Sequence, residues 1–278
     1  MIDLHTHSNV SDGSDAPAGV VELAVKAGLS AIALTDHDRQ DGVTVAREAA
    51  AREGIELVPG VEISCHHEGT MHMLVYFLEP GEGPLQDELA RLQAARDTRN
   101  ERLVARLAEL GLPVSMEELE AEAGGSGAGR PHIAAVLVRK GLASSVQDAF
   151  DRFLAKGAPA YMDKERLTPL QAVTLARRSG ALPVLAHPLS LRLPPAQMVA
   201  TVHELADGGL GGLEAIYGRY EPDQRAELAV VAARAGLAVT GGSDHHGTYK
   251  PDLTVGTGRG DLHVPDAALA ALRDRLPA

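Results

Sequence analysis

Two histidines near the amino terminus, His5 and His7, have the spacing of metal ligands on an extended strand. Because side chains alternate along a strand, both imidazoles lie on one face and Thr6 lies on the other. A second pair with the same spacing, Asp244 and His246, follows an apolar run near the other end of the chain. Mixed imidazole and carboxylate ligands suit zinc, manganese or iron, so the two pairs predict metal-dependent chemistry.

Other possible ligands lie at, or just after, the ends of short apolar runs. Asp12 lies in a turn formed by Ser11 and Gly13, as expected of a loop that folds back over a site at a strand end. Glu62 follows the run 58–61, where a carboxylate could bridge two cations. The candidate metal ligands are His5, His7, Asp12, His37, Glu62, His72, His187, Asp244 and His246.

Strand and helix patterns alternate along most of the chain. Short apolar runs predict strands at 2–5, 31–35, 55–61, 71–77, 182–187, 212–216 and 237–241. Helical patterns, several of them closed by glycine, predict helices at 16–27, 42–53, 168–179, 195–206, 222–235 and 266–276. The alternation implies an α/β protein with a mostly parallel sheet.

Such a sheet could be a closed barrel or an open, doubly wound sheet. Candidate ligands fall at the ends of five different predicted strands. An open sheet would spread those strand ends along a line, whereas closure brings them around one mouth. The ligand positions therefore favour a barrel.

Residues 80–165 interrupt the alternation, because they show helical patterns only. A segment rich in proline and glycine opens this region, which then predicts a long helix to about residue 110, a capping box at Ser115 and Glu118, a flexible break at 124–129, and helices near 132–140 and 146–154. We predict a barrel domain of residues 1–79 and 166–278, with 80–165 as an inserted helical cap over its mouth. The alternative is that residues 80–165 form a surface insertion that does not face the barrel mouth.

Composition and charge narrow the class of protein. The 278 residues include a single cysteine, Cys65, which excludes an internal disulfide framework and suits a reducing compartment. No basic-apolar leader and no membrane-spanning apolar run are present, so we expect a cytoplasmic protein without a membrane partner. A formal net charge of −12 disfavours binding of extended duplex nucleic acid, and an anionic substrate would need a local attraction built by metal ions.

The predicted cap contains the candidate substrate-binding residues. Arg130 and His132 lie at the start of a helix, where free backbone amides and the helix dipole already favour an anion such as phosphate. Lys156 could add a second positive group, and Tyr161 could be a surface for a base or sugar. The alternative is that Arg130 and Lys156 are ordinary surface charges and that the Tyr161 ring packs in the core.

Six segments together resemble the PHP (polymerase and histidinol phosphatase) domain of metal-dependent phosphoesterases. They are Asp3-Leu4-His5-Thr6-His7, Thr35-Asp36-His37-Asp38, Pro59-Gly60-Val61-Glu62-Ile63, His72-Met73-Leu74-Val75-Tyr76, Ala186-His187-Pro188 and Gly242-Ser243-Asp244-His245-His246. They occur in the family's order and span almost the whole chain outside the predicted insert. The resemblance implies a distorted, TIM-like (β/α)7 barrel with a trinuclear site.

The resemblance also implies a division of the ligands among up to three divalent ions (Mn, Zn or Fe). One ion would take His5, His7, Glu62 and Asp244, a second would share Glu62 and take His72 and His187, and a third would take Asp12, His37 and His246. Many family members have histidine where this chain has Asp12, which bears on the cation that the third position selects. Glu62, Asp244, His187 and His37 are the candidate catalytic residues.

Within the family, the chain resembles the branch with a helical insert, whose bacterial members hydrolyse nucleoside 3′,5′-bisphosphates and remove 5′ nucleotides from short RNA. In this hypothesis a bridging hydroxide would attack the 5′ phosphorus. A requirement for the 3′ phosphate would be explained if Arg130, His132 and Lys156 bind it. The substrate would be a small nucleotide or a short RNA end, and no obligate protein partner is evident. The alternatives are a histidinol-phosphate phosphatase, an amidohydrolase and a non-catalytic metal-binding PHP-like domain.

Overall fold

A computed structural model describes residues 1–123 and 128–276 and contains one seven-stranded sheet in the order of the sequence. The strands are β1 (Ile2–Asp3), β2 (Ala31–Leu34), β3 (Glu56–Cys65), β4 (Met71–Tyr76), β5 (Leu182–Leu185), β6 (Gly212–Tyr217) and β7 (Ala238–Gly242). Each predicted strand is confirmed, with its ends shifted by at most four residues. The predicted α/β class is also confirmed.

The sheet is nearly closed into a barrel. Leu4 donates its backbone N–H to the Gly241 carbonyl at 3.1 Å, and Asp244 donates to the His5 carbonyl at 2.8 Å. These bonds join the segment that follows β1 to β7 and to the residues after it, so the candidate ligands of the first and last strands meet at the mouth. The prediction of a barrel is confirmed in this nearly closed form.

One strand runs against the others. β4 is antiparallel to both β3 and β5, whereas the other neighbouring strands are parallel. The second residue of β4, His72, therefore pairs with Ser64 near the end of β3, at the same mouth as the other candidate ligands. The reversal explains how a residue at the beginning of a strand joins residues at the ends of its neighbours.

The prediction that Glu62 follows its strand was wrong. β3 continues to Cys65 and places Glu62 inside the strand, paired with Leu74 of β4. The antiparallel partner extends the ladder past the point where a parallel strand would stop. Glu62 is only 1% exposed; its backbone N–H donates to the Asp36 carbonyl at 3.2 Å, and its carbonyl accepts from the Asp38 N–H at 3.0 Å.

The helices that flank the sheet lie close to the predicted positions. They are α1 (Pro17–Lys26), α2 (Val43–Glu53), α3 (Pro84–Glu109), α4 (Met116–Ala123), α5 (Arg130–Arg139), α6 (Val146–Ala149), α7 (Pro169–Arg178), α8 (Pro195–Asp207), α9 (Pro222–Arg234) and α10 (Ala267–Arg273). A π-helical turn, Phe150–Leu154, continues α6. The capping box before α4 is present, since Ser115 and Glu118 exchange side-chain and backbone hydrogen bonds. Residues 124–127 of the predicted break lie outside the described residues.

α3 connects two separate hydrophobic clusters. Leu85, Leu89 and Leu92 near its start pack into a cluster formed by the barrel, whereas Leu103 and Leu107 belong to a second cluster formed by α4 to α6 and the π-helical turn. At 26 residues the helix is about 39 Å long. It therefore runs from the end of the barrel where β4 stops to the mouth where the candidate ligands lie.

Two further observations concern the membrane and the cysteine. Among the described residues, no helix is both long and apolar enough to cross a membrane. The Cys65 thiol is buried, and burial raises its pKa, so the thiolate that a nucleophile requires is disfavoured.

Candidate metal centre and adjoining cavity

Four of the predicted ligands form one compact group at the barrel mouth. The Nε2 atoms of His5 and His7 are 3.1 Å apart. Glu62 Oε2 lies 3.2 Å from the first and 3.1 Å from the second, and Asp244 Oδ1 lies 3.5 Å from each. One ligand atom from each residue lies within 4.8 Å of the others, so a single cation could contact all four.

Asp244 is held with one carboxylate oxygen toward this group. Its backbone has a φ of +58°, a left-handed conformation that residues other than glycine seldom adopt. Its Oδ2 accepts hydrogen bonds from the Tyr217 hydroxyl and from Lys250 Nζ, both at 2.7 Å. Because Oδ2 is occupied, Oδ1 is the oxygen left for a cation.

Glu62 also belongs to a second group. Its Oε1 lies 2.9 Å from His72 Nδ1 and 3.0 Å from His187 Nε2, while its Oε2 lies 3.3 Å from His37 Nδ1. His187 donates from Nδ1 to the Ser190 hydroxyl at 2.9 Å, which leaves Nε2 for the cluster. Ligand atoms of His37, Glu62 and His72 lie within 4.8 Å of one another, with His187 beside them.

A third group surrounds Asp12. Its Oδ1 lies 3.2 Å from His246 Nε2 and 3.7 Å from His7 Nδ1, and its Oδ2 lies 3.7 Å from His37 Nε2. These four residues also have ligand atoms within 4.8 Å of one another. His7 thus borders two groups, a sharing that the sequence did not predict.

Asp36 fixes the loop that carries Asp12. Its carboxylate accepts from the Ser8 backbone N–H at 2.8 Å and from the Ser8 and Ser11 hydroxyls at 2.7 Å each. Burial raises the pKa of Asp36 to about 6, although these donors oppose the shift. The side chain is therefore a structural support for the Asp12 loop.

The residues fit bound cations. Among the described residues, the buried nitrogens His7 Nδ1, His37 Nδ1 and His246 Nε2 have no hydrogen-bond partner. Buried polar atoms without a partner are rare because they cost free energy, and an imidazole lone pair is what a transition-metal cation binds. His246 donates from Nδ1 to the Asp244 carbonyl at 2.9 Å, which leaves its Nε2 lone pair toward Asp12.

The electrostatics of the cluster also favour positive charge. Burial would raise the pKa of Glu62, but His72 and His37 outweigh it and hold this pKa well below its usual value. Burial would lower the pKa of His5, but Glu214 and Glu62 outweigh it and raise this pKa well above its usual value. Burial lowers the pKa of His72 to about 4, which favours the neutral form of this imidazole.

Glu214, which sequence reasoning missed, connects two of the predicted ligands. It is buried in β6, its Oε1 accepts from His5 Nδ1 at 2.9 Å, and its Oε2 accepts from the His187 backbone N–H at 2.7 Å. A carboxylate behind a metal-bound imidazole fixes the tautomer and orients the ring. The available signal was a single charged residue within the apolar run 212–216.

We expect Glu214→Gln to weaken metal binding by about 10- to 100-fold, because the amide group cannot accept from both His5 and the His187 backbone. Competition with a fluorescent chelator measures this affinity. Glu56→Gln, which changes an exposed carboxylate at the start of β3, is the matched control and should bind metal as the wild type does. Equal affinity in the two variants would contradict this role for Glu214.

A cavity of about 830 Å³ opens from the cluster, and Asp12, His37 and His72 form part of its wall. Among the residues that the structure describes, seven basic side chains and three carboxylates line it. Six of the basic residues come from α3 and from the segment between α3 and α7, and we call them the cationic wall: Arg96, Arg99, Arg130, Lys156, Lys164 and Arg166. In a chain with a net charge of −12, this concentration of positive charge indicates a site for an anion.

All four predicted substrate-binding residues line this cavity. Arg130 donates from Nη1 to the Leu154 carbonyl at 3.2 Å, and its guanidinium lies 5.4 Å from the centre of the Tyr161 ring. His132 is buried, and its Nδ1 accepts at 3.0 Å from the backbone N–H of Gly129, the residue that precedes α5. Lys156 is exposed at the cavity wall.

Asp38 joins the helical segment to the barrel, and the sequence did not reveal this role. Its Oδ2 accepts from Arg96 of α3 and from Lys164 Nζ, and its Oδ1 accepts from the Ser64 backbone N–H at 3.0 Å. Burial would raise the pKa of Asp38, but Lys164 and Arg96 outweigh it and hold this pKa well below its usual value. The contact brings the cationic wall to the metal-ligand cluster.

Arg99 is the most unusual group in the cavity wall. It is 7% exposed, and its Nε and Nη1 atoms are buried without a hydrogen-bond partner among the described residues. Burial and the positive charges of Arg130, Arg96 and Arg166 lower its pKa to about 10. Asp163 opposes this shift only in part. A buried guanidinium that has no ion-pair partner among the described residues costs stability, which an anionic ligand would offset.

Several curated proteins are similar to this chain over most of its length. A family model described as the PHP domain matches residues 3–95. The 5′-3′ exoribonuclease Rnm of Escherichia coli is 33% identical over 249 residues, covering 88% of this chain and 85% of that protein. Phosphoribosyl 1,2-cyclic phosphate 1,2-diphosphodiesterase of Eggerthella lenta is 32% identical over 256 residues, covering 89% and 94%.

A further relative and a solved structure extend the comparison. The 3′,5′-nucleoside bisphosphate phosphatase of Chromobacterium violaceum is 29% identical over 257 residues, covering 92% of this chain and 90% of that protein. A crystal structure from Bifidobacterium adolescentis, described as a metal-dependent phosphoesterase, has a TM-score of 0.86 and 31% identity. The match covers 100% of this chain and 96% of that one.

Proposed function

The chain belongs to the PHP family, and on that premise we propose that it is a metal-dependent hydrolase of the 5′ phosphate of nucleoside 3′,5′-bisphosphates that also removes 5′ nucleotides from short RNA. One observation carries this proposal: a cavity with seven basic side chains opens directly from the metal-ligand cluster. A substrate with two separated phosphates could place one at the cluster and the other among the cations.

For the metal centre we propose three positions, as the family resemblance implies. The first position comprises His5, His7, Glu62 and Asp244, the second Glu62, His72 and His187, and the third Asp12, His37 and His246. When bound, manganese, zinc or iron ions supply a nucleophile from water near neutral pH and polarise the phosphoryl oxygens. The spacing of the ligand atoms and the unpartnered imidazole nitrogens support these positions.

The chain's own residues have distinct tasks in this proposal. Glu62 keeps the first two positions adjacent, because its two oxygens face different groups. Tyr217 and Lys250 turn Asp244 toward the centre. Proton delivery to the leaving ribose oxygen is assigned to water or to His67, which lines the cavity.

The cationic wall would bind the 3′ phosphate. We assign this role to Arg130, His132 and Lys156. We add Arg99 because its buried Nε and Nη1 atoms have no hydrogen-bond partner in the part of the chain that the structure describes. Charge-assisted hydrogen bonds to phosphate are stronger than neutral ones, and arginine suits them geometrically. Tyr161 beneath Arg130 offers a face for the base or the sugar.

We also propose that residues 80–165 are a cap that completes the substrate site. Their separate hydrophobic cluster and the contact of Arg96 with Asp38 support this assignment. The boundary at residue 166 remains a prediction. The cap would exclude water from the bound phosphate and so strengthen each charged contact.

A phosphate-release panel tests the proposed function. It compares adenosine 3′,5′-bisphosphate, histidinol phosphate, a ribose 1,2-cyclic phosphate and an N-acyl substrate, each with added Mn²⁺. We expect the bisphosphate to have the highest kcat/KM, since histidinol is a cation and the cavity wall would repel it. Preference for any of the other three would contradict the proposal.

We expect Arg130→Ala to lower kcat/KM for the bisphosphate by about tenfold or more, through the loss of a charge-assisted contact. Activity on an aryl phosphate, which has no second phosphate, should change little. Arg152→Ala is the matched control, because Arg152 also stacks on an aromatic ring and donates to a backbone carbonyl but does not line the cavity. An equal loss by Arg130→Ala on both substrates would count against this role.

A further inference from the structure

The loop that carries Asp12, residues 8–15, is fixed at two places, which we call the first and second anchors. At the first anchor, two serines near the start of the loop donate to Asp36. At the second anchor, the end of the loop contacts the turn that follows β7, residues 245–248. Asp12 lies between the anchors, and its Oδ1 lies 3.2 Å from His246 Nε2 of that turn. The second anchor therefore sets the distance between two ligands of the proposed third position.

A contact between His245 and Asp15 is the centre of the second anchor. His245 is 7% exposed, and it donates from Nδ1 to the Leu253 carbonyl at 2.8 Å, which fixes the orientation of the ring. Its Nε2 lies 3.0 Å from Asp15 Oδ2. A buried ring held from behind thus binds the last residue of the loop.

Gly247 allows the two segments to approach closely. Its backbone has a φ of +62°, and a Cβ at this position would overlap Ser14 Oγ and Asp15 Oδ2. In the space that glycine leaves, the Ser14 hydroxyl accepts from the Thr248 backbone N–H at 2.9 Å. Ser14 also donates its own backbone N–H to the His246 carbonyl at 3.2 Å.

Ligands of the other two proposed positions have their own supports. Glu214 accepts from the His5 ring and from the His187 backbone, and the Oδ2 atom of Asp244 is held by two donors. None of these hydrogen bonds involves residues 8–15. Loss of the second anchor would therefore loosen Asp12 without loosening these ligands.

We propose that Asp15 and His245 are positioning residues for the third cation, because their contact holds Asp12 against His246 and sets the affinity of that position separately from the other two. The inference rests on the proposed function, which places a cation among Asp12, His37 and His246. Residues that support a metal ligand typically change metal affinity about 10- to 100-fold when they are replaced. The third ion should therefore be the one that dissociates when the contact is lost.

Asp15→Ala tests the contact and leaves the sequence around Asp244 and His246 unchanged. Equilibrium dialysis against Mn²⁺ with metal analysis should show three ions per chain in the wild type and a third ion bound about 10- to 100-fold more weakly in the variant. The Mn²⁺ concentration for half-maximal activity on an aryl phosphate should rise by the same factor, whereas kcat at saturating Mn²⁺ should recover. A merely structural defect would lower kcat at every Mn²⁺ concentration. Asp15→Asn, whose amide can still hydrogen-bond to His245, should retain most of the affinity.

Two matched controls accompany these variants. Asp252→Ala removes another aspartate that follows β7, whose ion pairs are with Arg219 and Arg259, and it should bind three ions as the wild type does. Gly247→Ala should weaken the third ion as Asp15→Ala does, because the added Cβ displaces the loop. Gly236→Ala controls for backbone strain, since Gly236 has a φ of +69° and no described atom within 4 Å of an added Cβ.

Wild-type affinity for the third ion in Asp15→Ala would overturn the inference, and so would the loss of all three ions. A wild type that binds only two ions and hydrolyses adenosine 3′,5′-bisphosphate would also overturn the inference, while the proposed substrate would stand. Failure of the wild type to hydrolyse the bisphosphate at saturating Mn²⁺ would instead overturn the proposed function, and the ion counts would still decide the role of Asp15.

Discussion

Replacing Glu62 by glutamine is expected to lower kcat for phosphate release by about 10³-fold or more, beyond the loss caused by removing a single transition-state donor. The two Glu62 oxygens lie between 2.9 and 3.3 Å from five imidazoles, those of His5, His7, His37, His72 and His187. A neutral amide would bind cations weakly and would not hold two positions together. Steady-state kinetics at saturating Mn²⁺ measures the loss.

Glu68→Gln is the matched control for this prediction. Glu68 lines the cavity but belongs to none of the three ligand groups, so its replacement should change kcat little. Circular dichroism should show that both variants fold, because Glu62 lies within β3, where a glutamine keeps the backbone ladder. If Glu62→Gln and Glu68→Gln had the same kcat, Glu62 would not be at the catalytic centre.

Arg99→Met is expected to lower kcat/KM for the bisphosphate by about tenfold or more while it raises the free energy of unfolding. The guanidinium is buried among other cations, and its pKa falls from its usual value to about 10. Below about pH 10 the guanidinium is charged in both states, and its burial lowers the free energy of unfolding. This destabilisation decreases as the pH rises from about 10 to the usual pKa of arginine, because the buried group loses its proton first. Removal of the charge should stabilise the fold and weaken the substrate contact together.

Urea unfolding and kinetics on the same preparations check both effects of Arg99→Met. Arg102→Met is the matched control, since Arg102 lies one turn further along α3 and is exposed. It should change neither quantity appreciably. A loss of stability in Arg99→Met would show that the guanidinium has a structural partner and would contradict its role as a ligand-binding group.

The metal-ligand cluster could be predicted from sequence because its signals are local. The pairs His5/His7 and Asp244/His246 follow apolar runs, and the alternation of strand side chains fixes the relative direction of each pair. Placing candidate ligands at the ends of several strands then favoured a barrel, and the nearly closed sheet brings them together. The alternation of strand side chains and the order of the strands were therefore sufficient to predict the metal-ligand cluster.

The direction of β4 could not be predicted in the same way. The apolar pattern of a six-residue strand does not indicate whether the strand is parallel or antiparallel to its neighbours. The antiparallel direction is shown only by the pairing of β4 with β3 and β5. That reversal lengthens β3 past Glu62 and takes the chain to the far end of the barrel before α3 begins. The error in the end of β3 has the same cause.

The cationic wall depends on long-range contacts that a single sequence does not reveal. α3 contains five arginines, and its helical periodicity alone does not distinguish Arg99, which is buried, from Arg102, which is exposed. The partner that draws Arg96 to the mouth, Asp38, is 58 residues away in the chain. Glu214, in contrast, has a local signal in the sequence, because it is the one charged residue within the apolar run 212–216.

The most direct test of the central proposal is the metal content of the wild type and of Glu62→Gln, purified without chelator and measured together with activity on adenosine 3′,5′-bisphosphate. We expect the wild type to bind more than one and up to three divalent ions per chain, and we expect Glu62→Gln to lose both ions and activity. Full hydrolysis by wild-type protein stripped of metal would contradict the proposal, and so would unchanged metal content in Glu62→Gln.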